Sequence, residues 1–243
     1  MYLLLLFLAT LAGGSVPLWW RGLTEGRMQL VMAFSGAFLL AITFLHLLPE
    51  SFSEIGGKAG FYLLIGFFLQ LIIQRFSHGI EHGHVHLPAN DHHGHSHALS
   101  LVPVLAGLGL HAFMEGIPLG FEYRQPGTEH ALYAAVIAHK MPEAALIGSL
   151  AAQLKGRRQG WLVLLIFATL TPVGSLLATY FGHQYMAMSR AVMALIPVVA
   201  GAFVHISTTI FFESGTKQHA LTRSKTIAII AGLALGVVTL WLE

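Results

Sequence analysis

The chain has 243 residues, of which 55% are apolar and only 10% charged, with a net charge of +2 and a positive mean hydropathy. A soluble domain carries about 25% charged residues. That contrast excludes a sizeable soluble domain and a nucleic-acid partner, and it implies an all-α integral membrane protein in a lipid bilayer. No cysteine is present, which removes disulfides, thiolate metal sites and cysteine nucleophiles.

A spanning helix needs roughly 20 apolar residues. The first such run, about 2–20, begins like the apolar region of a signal peptide. No Lys or Arg precedes it, however, and it continues to Trp19 and Trp20, which suit a membrane interface. It is read as a first spanning helix. The second run, about 28–49, ends in His46-Leu-Leu-Pro-Glu50. The third, about 59–75, is the shortest. Between it and the fourth lies a segment, 76–98, with eight histidines: His78, His82, His84, His86, His92, His93, His95 and His97. Such a tract cannot pack a core, and closely spaced neutral imidazoles bind zinc or nickel loosely. The fourth run, about 99–120, carries His111-Ala-Phe-Met-Glu115. The fifth, about 130–154, carries His139-Lys-Met-Pro-Glu143. The sixth and eighth, about 160–181 and 225–242, hold no such pair. The seventh, about 187–212, carries His205 among Ser207, Thr208 and Thr209 and ends near Glu213.

Basic residues orient the eight spans. Nine (Arg21, Arg27, Arg75, Lys155, Arg157, Arg158, Lys217, Arg223 and Lys225) lie on the side of the odd-numbered loops, against three, Lys58, Arg124 and Arg190, on the other. The positive-inside rule puts the odd-numbered loops, the histidine tract included, in the cytoplasm and both termini outside.

Three segments therefore pair a histidine with a glutamate four residues on, a spacing that shares one helix face. Imidazole and carboxylate are ligands of borderline and harder divalent metals. Ionisable residues inside membrane helices are costly and mark function. At ~1.5 Å rise per residue, His111 and His139 both sit roughly 14 Å below the outer surface, on antiparallel spans. His111, Glu115, His139 and Glu143 are thus expected to form a mid-membrane metal site. Pro118 and Pro142 lie beside the glutamates, where freed carbonyls suit a wetted site. His46 and Glu50 suit an outer entrance, with His46 in reach of the metal; His205 and Glu213 suit an inner exit. His130 and His183, at span ends, are expected only to be solvated or hydrogen-bonded. Lys140 must pair with Glu115 or Glu143, lose its proton or face water, and its charge would repel a second ion.

These motifs resemble the ZIP (Zrt/Irt-like) metal-ion transporters over nearly the whole chain. "HLLPE" looks like that family's second-span motif. "HAFMEG" at 111–116 is similar to its HNxxDG motif, "HKMPEAALIG" at 139–148 to its HExPHE-type motif, and "AGAF" at 200–203 to the start of its seventh span. The resemblance implies one transmembrane domain, 1–243, with eight helices in a 3+2+3 arrangement, spans 1–3 and 6–8 being inverted repeats. It implies metal uptake into the cytoplasm through a site of His111, His139 and Glu143. His46 would close that site, and Glu115 takes the acidic place in the span-4 motif. Many members hold a second ion with an Asn, an acid and a Glu where this chain has Ala112, Lys140 and Thr171. One metal is therefore expected, with the Lys140 ammonium in place of the second ion.

The reading is a non-enzymatic, multi-pass transporter of divalent metal, working by alternating access, in the inner membrane if the source is bacterial. Zn²⁺ comes first, with Fe²⁺, Mn²⁺, Co²⁺, Ni²⁺ and Cd²⁺ open, and a homodimer is open as well. Its ligands bind only when deprotonated, so transport should fall below the ordinary histidine pKa of about 6.5. A cation-diffusion-type exporter would show a soluble C-terminal domain, which this sequence lacks. An intramembrane metal-dependent hydrolase would call for an HExxH motif and a substrate groove.

Overall fold

The computed structural model describes residues 1–19, 24–77, 101–123, 127–184, 186–213 and 222–241. Every regular element among the described residues is a helix. α1 is Tyr2–Trp19. α2, Glu25–Ile42, runs through a π-helical turn, Thr43–Leu47, into α3, Leu48–Ile55. α4 is Lys58–Ser77, α5 Leu101–Leu119, α6 Thr128–Lys155, α7 Arg157–Gln184, α8 Met186–Glu213 and α9 Arg223–Thr239. The histidine tract 78–97 lies outside the described residues.

Each stretch expected to span is helical over most of its described length, the ends at Gly120 and Leu240–Trp241 being turns. Five are long and apolar enough to cross a bilayer: Tyr2–Trp19, Gly26–Ile55, Val102–Leu119, Arg157–Gly182 and Met193–Phe211. The others have local reasons to fall short. α4 starts at Lys58 and carries Gln70, Gln74 and Arg75 along its length. α6 carries His139, Lys140 and Glu143, and α9 has only 17 residues.

The second rod differs most from expectation. Its helix does not stop near 49 but continues to Ile55, where Gly56 ends it at φ 61°. The cause is Pro49, which has no N–H for the carbonyl one turn back and whose ring crowds that carbonyl. Widening the turn just before the proline accommodates both, and the Leu48 N–H accordingly bonds five residues back, to the Thr43 carbonyl. His46 sits inside this widened turn.

Packing divides the helices into two sets. In one, α1 lies on α6 and α5 on α7, with α6 against α7; in the other, α4 lies on α8 and α2 on α9. Missing side chains make the seams close. A Cβ on Gly116 of α5 would strike the Thr171 carbonyl of α7, and one on Gly174 would strike the Phe113 carbonyl. Gly66 and Gly201 serve the α4–α8 seam in the same way. α6 and α7 are joined by Gly156 alone, at φ 89°, a left-handed conformation that glycine adopts without penalty.

Polarity is distributed inside out relative to a water-soluble protein. Phe61, Leu64, Phe68, Ile72, Leu162, Ile166, Leu176, Ile227 and Ile230 are exposed, while His46, Glu50, His111, Glu115, His139, Lys140 and Glu143 are buried. A contiguous apolar exterior of this kind is a liability in water and is solvated in lipid.

Candidate metal centre

α5 and α6 each contribute one turn of ligands. His111 and Glu115 share a face of α5, and His139 and Glu143 share a face of α6, as four-residue spacing requires. One ligand atom from each of the four falls within 4.8 Å of the others. The His111 Nε2 lies 3.2 Å from Glu115 Oε1 and 3.7 Å from Glu143 Oε1, and His139 Nε2 lies 3.8 Å from Glu115 Oε1. A regular tetrahedron with bonds of about 2.1 Å has edges of about 3.4 Å. The measured pairs bracket that edge, so two imidazoles and two carboxylates fit a zinc-sized ion after small adjustments. All four residues are at most 1% exposed. His111 Nε2, Glu115 Oε1, His139 Nε2 and Glu143 Oε1 make no well-formed hydrogen bond among the described residues. Buried polar atoms are rarely left so, and these four, one from each residue, form a donor set that suits a cation.

Lys140 organises the same carboxylates from the other side. Its Nζ is paired with Glu115 Oε2 and lies 2.5 Å from Glu143 Oε2. It also sits 5.0 Å from the centre of the Phe167 ring on α7. The two glutamates thus divide their oxygens. Each gives Oε2 to the ammonium and leaves Oε1 toward the imidazoles. Two carboxylates and one ammonium give a formal charge of −1, which one divalent ion converts to +1.

Beside this site, the Thr171 hydroxyl donates to the Ala112 carbonyl at 2.8 Å. The three residues that depart from the two-metal pattern are therefore each engaged within the protein. Above it, the end of α5 is held by hydroxyl donors. Tyr123 bonds the Pro118 carbonyl at 2.9 Å, Tyr133 bonds that of Leu119 at 3.2 Å, and Thr179 shares its proton between the carbonyls of Gly120 at 3.1 Å and Ser175 at 3.0 Å. α5 and α6 run unbroken past Pro118 and Pro142.

The remaining expected residues lie elsewhere. His46 is fully buried, with Nε2 2.8 Å from the Thr239 hydroxyl on α9, and does not join the four-residue group. Thr239 also donates to the Gly236 carbonyl at 2.6 Å, so its single proton is spent and His46 Nε2 carries the hydrogen of their bond. Glu50 is buried one turn beyond. A cavity of about 510 Å³ lies nearby, lined by Gly127, His130, Ala131, Ala134 and Thr239. His130 is exposed and packs edge-on against Tyr2. On the other half of the molecule, His205 Nε2 lies 2.6 Å from Gln74 Oε1 and its ring stands against Phe67. Glu213 ends α8, and its side chain, like that of His183, lies outside the described residues.

Sequence reasoning missed Thr239, Phe167 and Gln74. The first two carry no local signal, being apolar-span residues that matter only through their neighbours. Gln74 could have been found, because two glutamines four apart on an apolar helix are as costly as a histidine. Among known families, a model described as ZIP Zinc transporter matches residues 1–103 and 93–242. No curated protein matches the chain.

Proposed function

The chain belongs to the ZIP zinc transporter family, and from that premise we propose that it moves a divalent metal ion, zinc first, into the cytoplasm by alternating access. The observation that carries the proposal is the convergence of His111, Glu115, His139 and Glu143 in one buried group. Nitrogen and oxygen donors in an open, thiolate-free set suit an ion that must be released as well as bound. His46 and Glu50 serve the outer approach. His205, Glu213 and the histidine tract 78–97 serve the cytoplasmic one.

The packing is consistent with inverted repeats. Exchanging α1 with α7, α2 with α8, α4 with α9 and α5 with α6 maps the α4–α8 seam onto α9–α2 and the α1–α6 seam onto α7–α5. That packing and the charge count support a reading of eight spans with both termini outside.

The site holds one ion. Lys140 supplies the positive charge that a second ion would bring, and Thr171 and Ala112 satisfy each other. Two fully occupied ions refined between α5 and α6 would overturn this. The test of the whole reading is Zn²⁺ uptake into proteoliposomes. The double variant His139→Ala, Glu143→Ala is expected to abolish it, and undiminished flux would rule out this site. Competition among Zn²⁺, Fe²⁺, Mn²⁺ and Cd²⁺ in the same assay fixes the preferred cargo.

A further inference from the structure

Gln70 is fully buried on α4, and neither its amide oxygen nor its amide nitrogen has a hydrogen-bond partner among the described residues. In hydrocarbon an unsatisfied amide is costly, because no water can complete it. Leucine would fill the same space at no such cost.

Its surroundings are specific. Gly66, Gln70 and Gln74 recur every four residues and form one stripe of α4. Gly66 packs on Val198 of α8, Gly201 of α8 packs on Leu63 and Phe67, and Gln74 meets His205. The stripe therefore faces the α4–α8 seam, with Gln70 between a tight glycine contact and the Gln74–His205 pair. α5, the helix of His111 and Glu115, packs against both α4 and α8. The seam thus adjoins the metal-bearing helix.

We propose that Gln70, Gln74 and His205 line a polar chamber in the α4–α8 seam that takes a hydrated divalent cation on its way from the metal centre to the cytoplasm. This rests on the transporter reading and adds a second, weaker station to it. The groups are neutral and bind through the ion's water: Gln70 accepts from that water through Oε1 and donates through Nε2. A neutral, water-mediated station holds an ion loosely enough to let it leave, as conduction requires.

Gln70→Leu separates this from a structural role. The chamber predicts Zn²⁺ flux in proteoliposomes reduced roughly tenfold or more, the equivalent of about 1.4 kcal/mol in the barrier. It also predicts unchanged Zn²⁺ affinity at the main site and a melting temperature equal to or above the parent's. Gln70→Asn, which keeps an amide, is expected to recover at least half of the flux. Parent-level flux in Gln70→Leu would overturn the proposal, whatever happens to stability. A second measurement does not need transport. The 243 residues contain no cysteine, so Gln70→Cys places one thiol in the seam. A membrane-impermeant thiol reagent should label it, and failure to label would overturn the chamber. If the parent protein carries no metal at all, the transporter reading falls, while the labelling still reports whether the seam is wet.

Discussion

Replacing Lys140 by methionine removes the ammonium and leaves an unbranched apolar side chain one atom shorter. Lys140 is fully buried and holds one oxygen of each carboxylate. In the metal-free protein the substitution leaves two buried carboxylates without a counter-charge, a loss of roughly 3–5 kcal/mol for a broken buried pair. In the metal-loaded protein the ion supplies the positive charge, so most of that loss is absent. The ion is also relieved of repulsion. Nζ lies 2.5 Å from Glu143 Oε2. An ion on Oε1 of the same carboxylate would stand roughly 5 Å from it, where charges of +1 and +2 repel by about 7 kcal/mol at an effective dielectric of 20. Water entering the vacated space reduces both effects, so the smaller is the safer guide: about 3 kcal/mol is more than a hundredfold in Kd. Lys140→Met should therefore bind Zn²⁺ at least a hundredfold more tightly by calorimetry in detergent, melt lower without metal, and turn over more slowly because release is slowed. Unchanged or weaker affinity would refute the reasoning and make Lys140 a positioning residue for the ligand helix.

Saturating Zn²⁺ at about a hundred times its Kd should stabilise the parent by about 2.7 kcal/mol, seen as a higher melting temperature that a chelator reverses; a Glu115→Ala protein should lose that response. Gly116→Ala puts a methyl group against the Thr171 carbonyl, and the overpacking should cost roughly 1–3 kcal/mol and weaken metal binding through the adjacent Glu115. A melting temperature within one degree of the parent's would show that α5 and α7 can part there. Thr239→Val keeps the shape of the side chain but removes the hydroxyl from His46 Nε2. Loss of one hydrogen bond costs roughly 0.5–1.5 kcal/mol, and metal uptake should fall while affinity at the main site stays unchanged. Wild-type uptake would show that His46 does not need to be held.

Much of the centre was legible in the sequence because it depends on local spacing. Four-residue His/Glu pairs on apolar helices declare a common face, and equal depth on adjacent antiparallel spans brings the faces together. The shared oxygens of Glu115 and Glu143 were not legible, since they depend on where Lys140 points once α5 and α6 have packed. Nor was the contact of His46 with Thr239, which is 193 residues away in the chain. The π turn was hidden because nothing local in His46-Leu-Leu-Pro-Glu50 says whether Pro49 ends the helix or, as here, is absorbed by a widened turn while the helix continues. α6 falls short as an apolar span for a related reason: the polar residues that lower its hydropathy are the ligands themselves.

The single residue between α6 and α7 has a mechanical consequence. α6 carries His139, Lys140 and Glu143; α7 carries Phe167 under the ammonium and Thr171 against α5. With only Gly156 between their ends, and Gly160 abutting Ala152 across the corner, the hairpin has no slack. The helix that carries the candidate ligands and the helix that backs it are tied as one lever, and neither can slide along the other without breaking that corner.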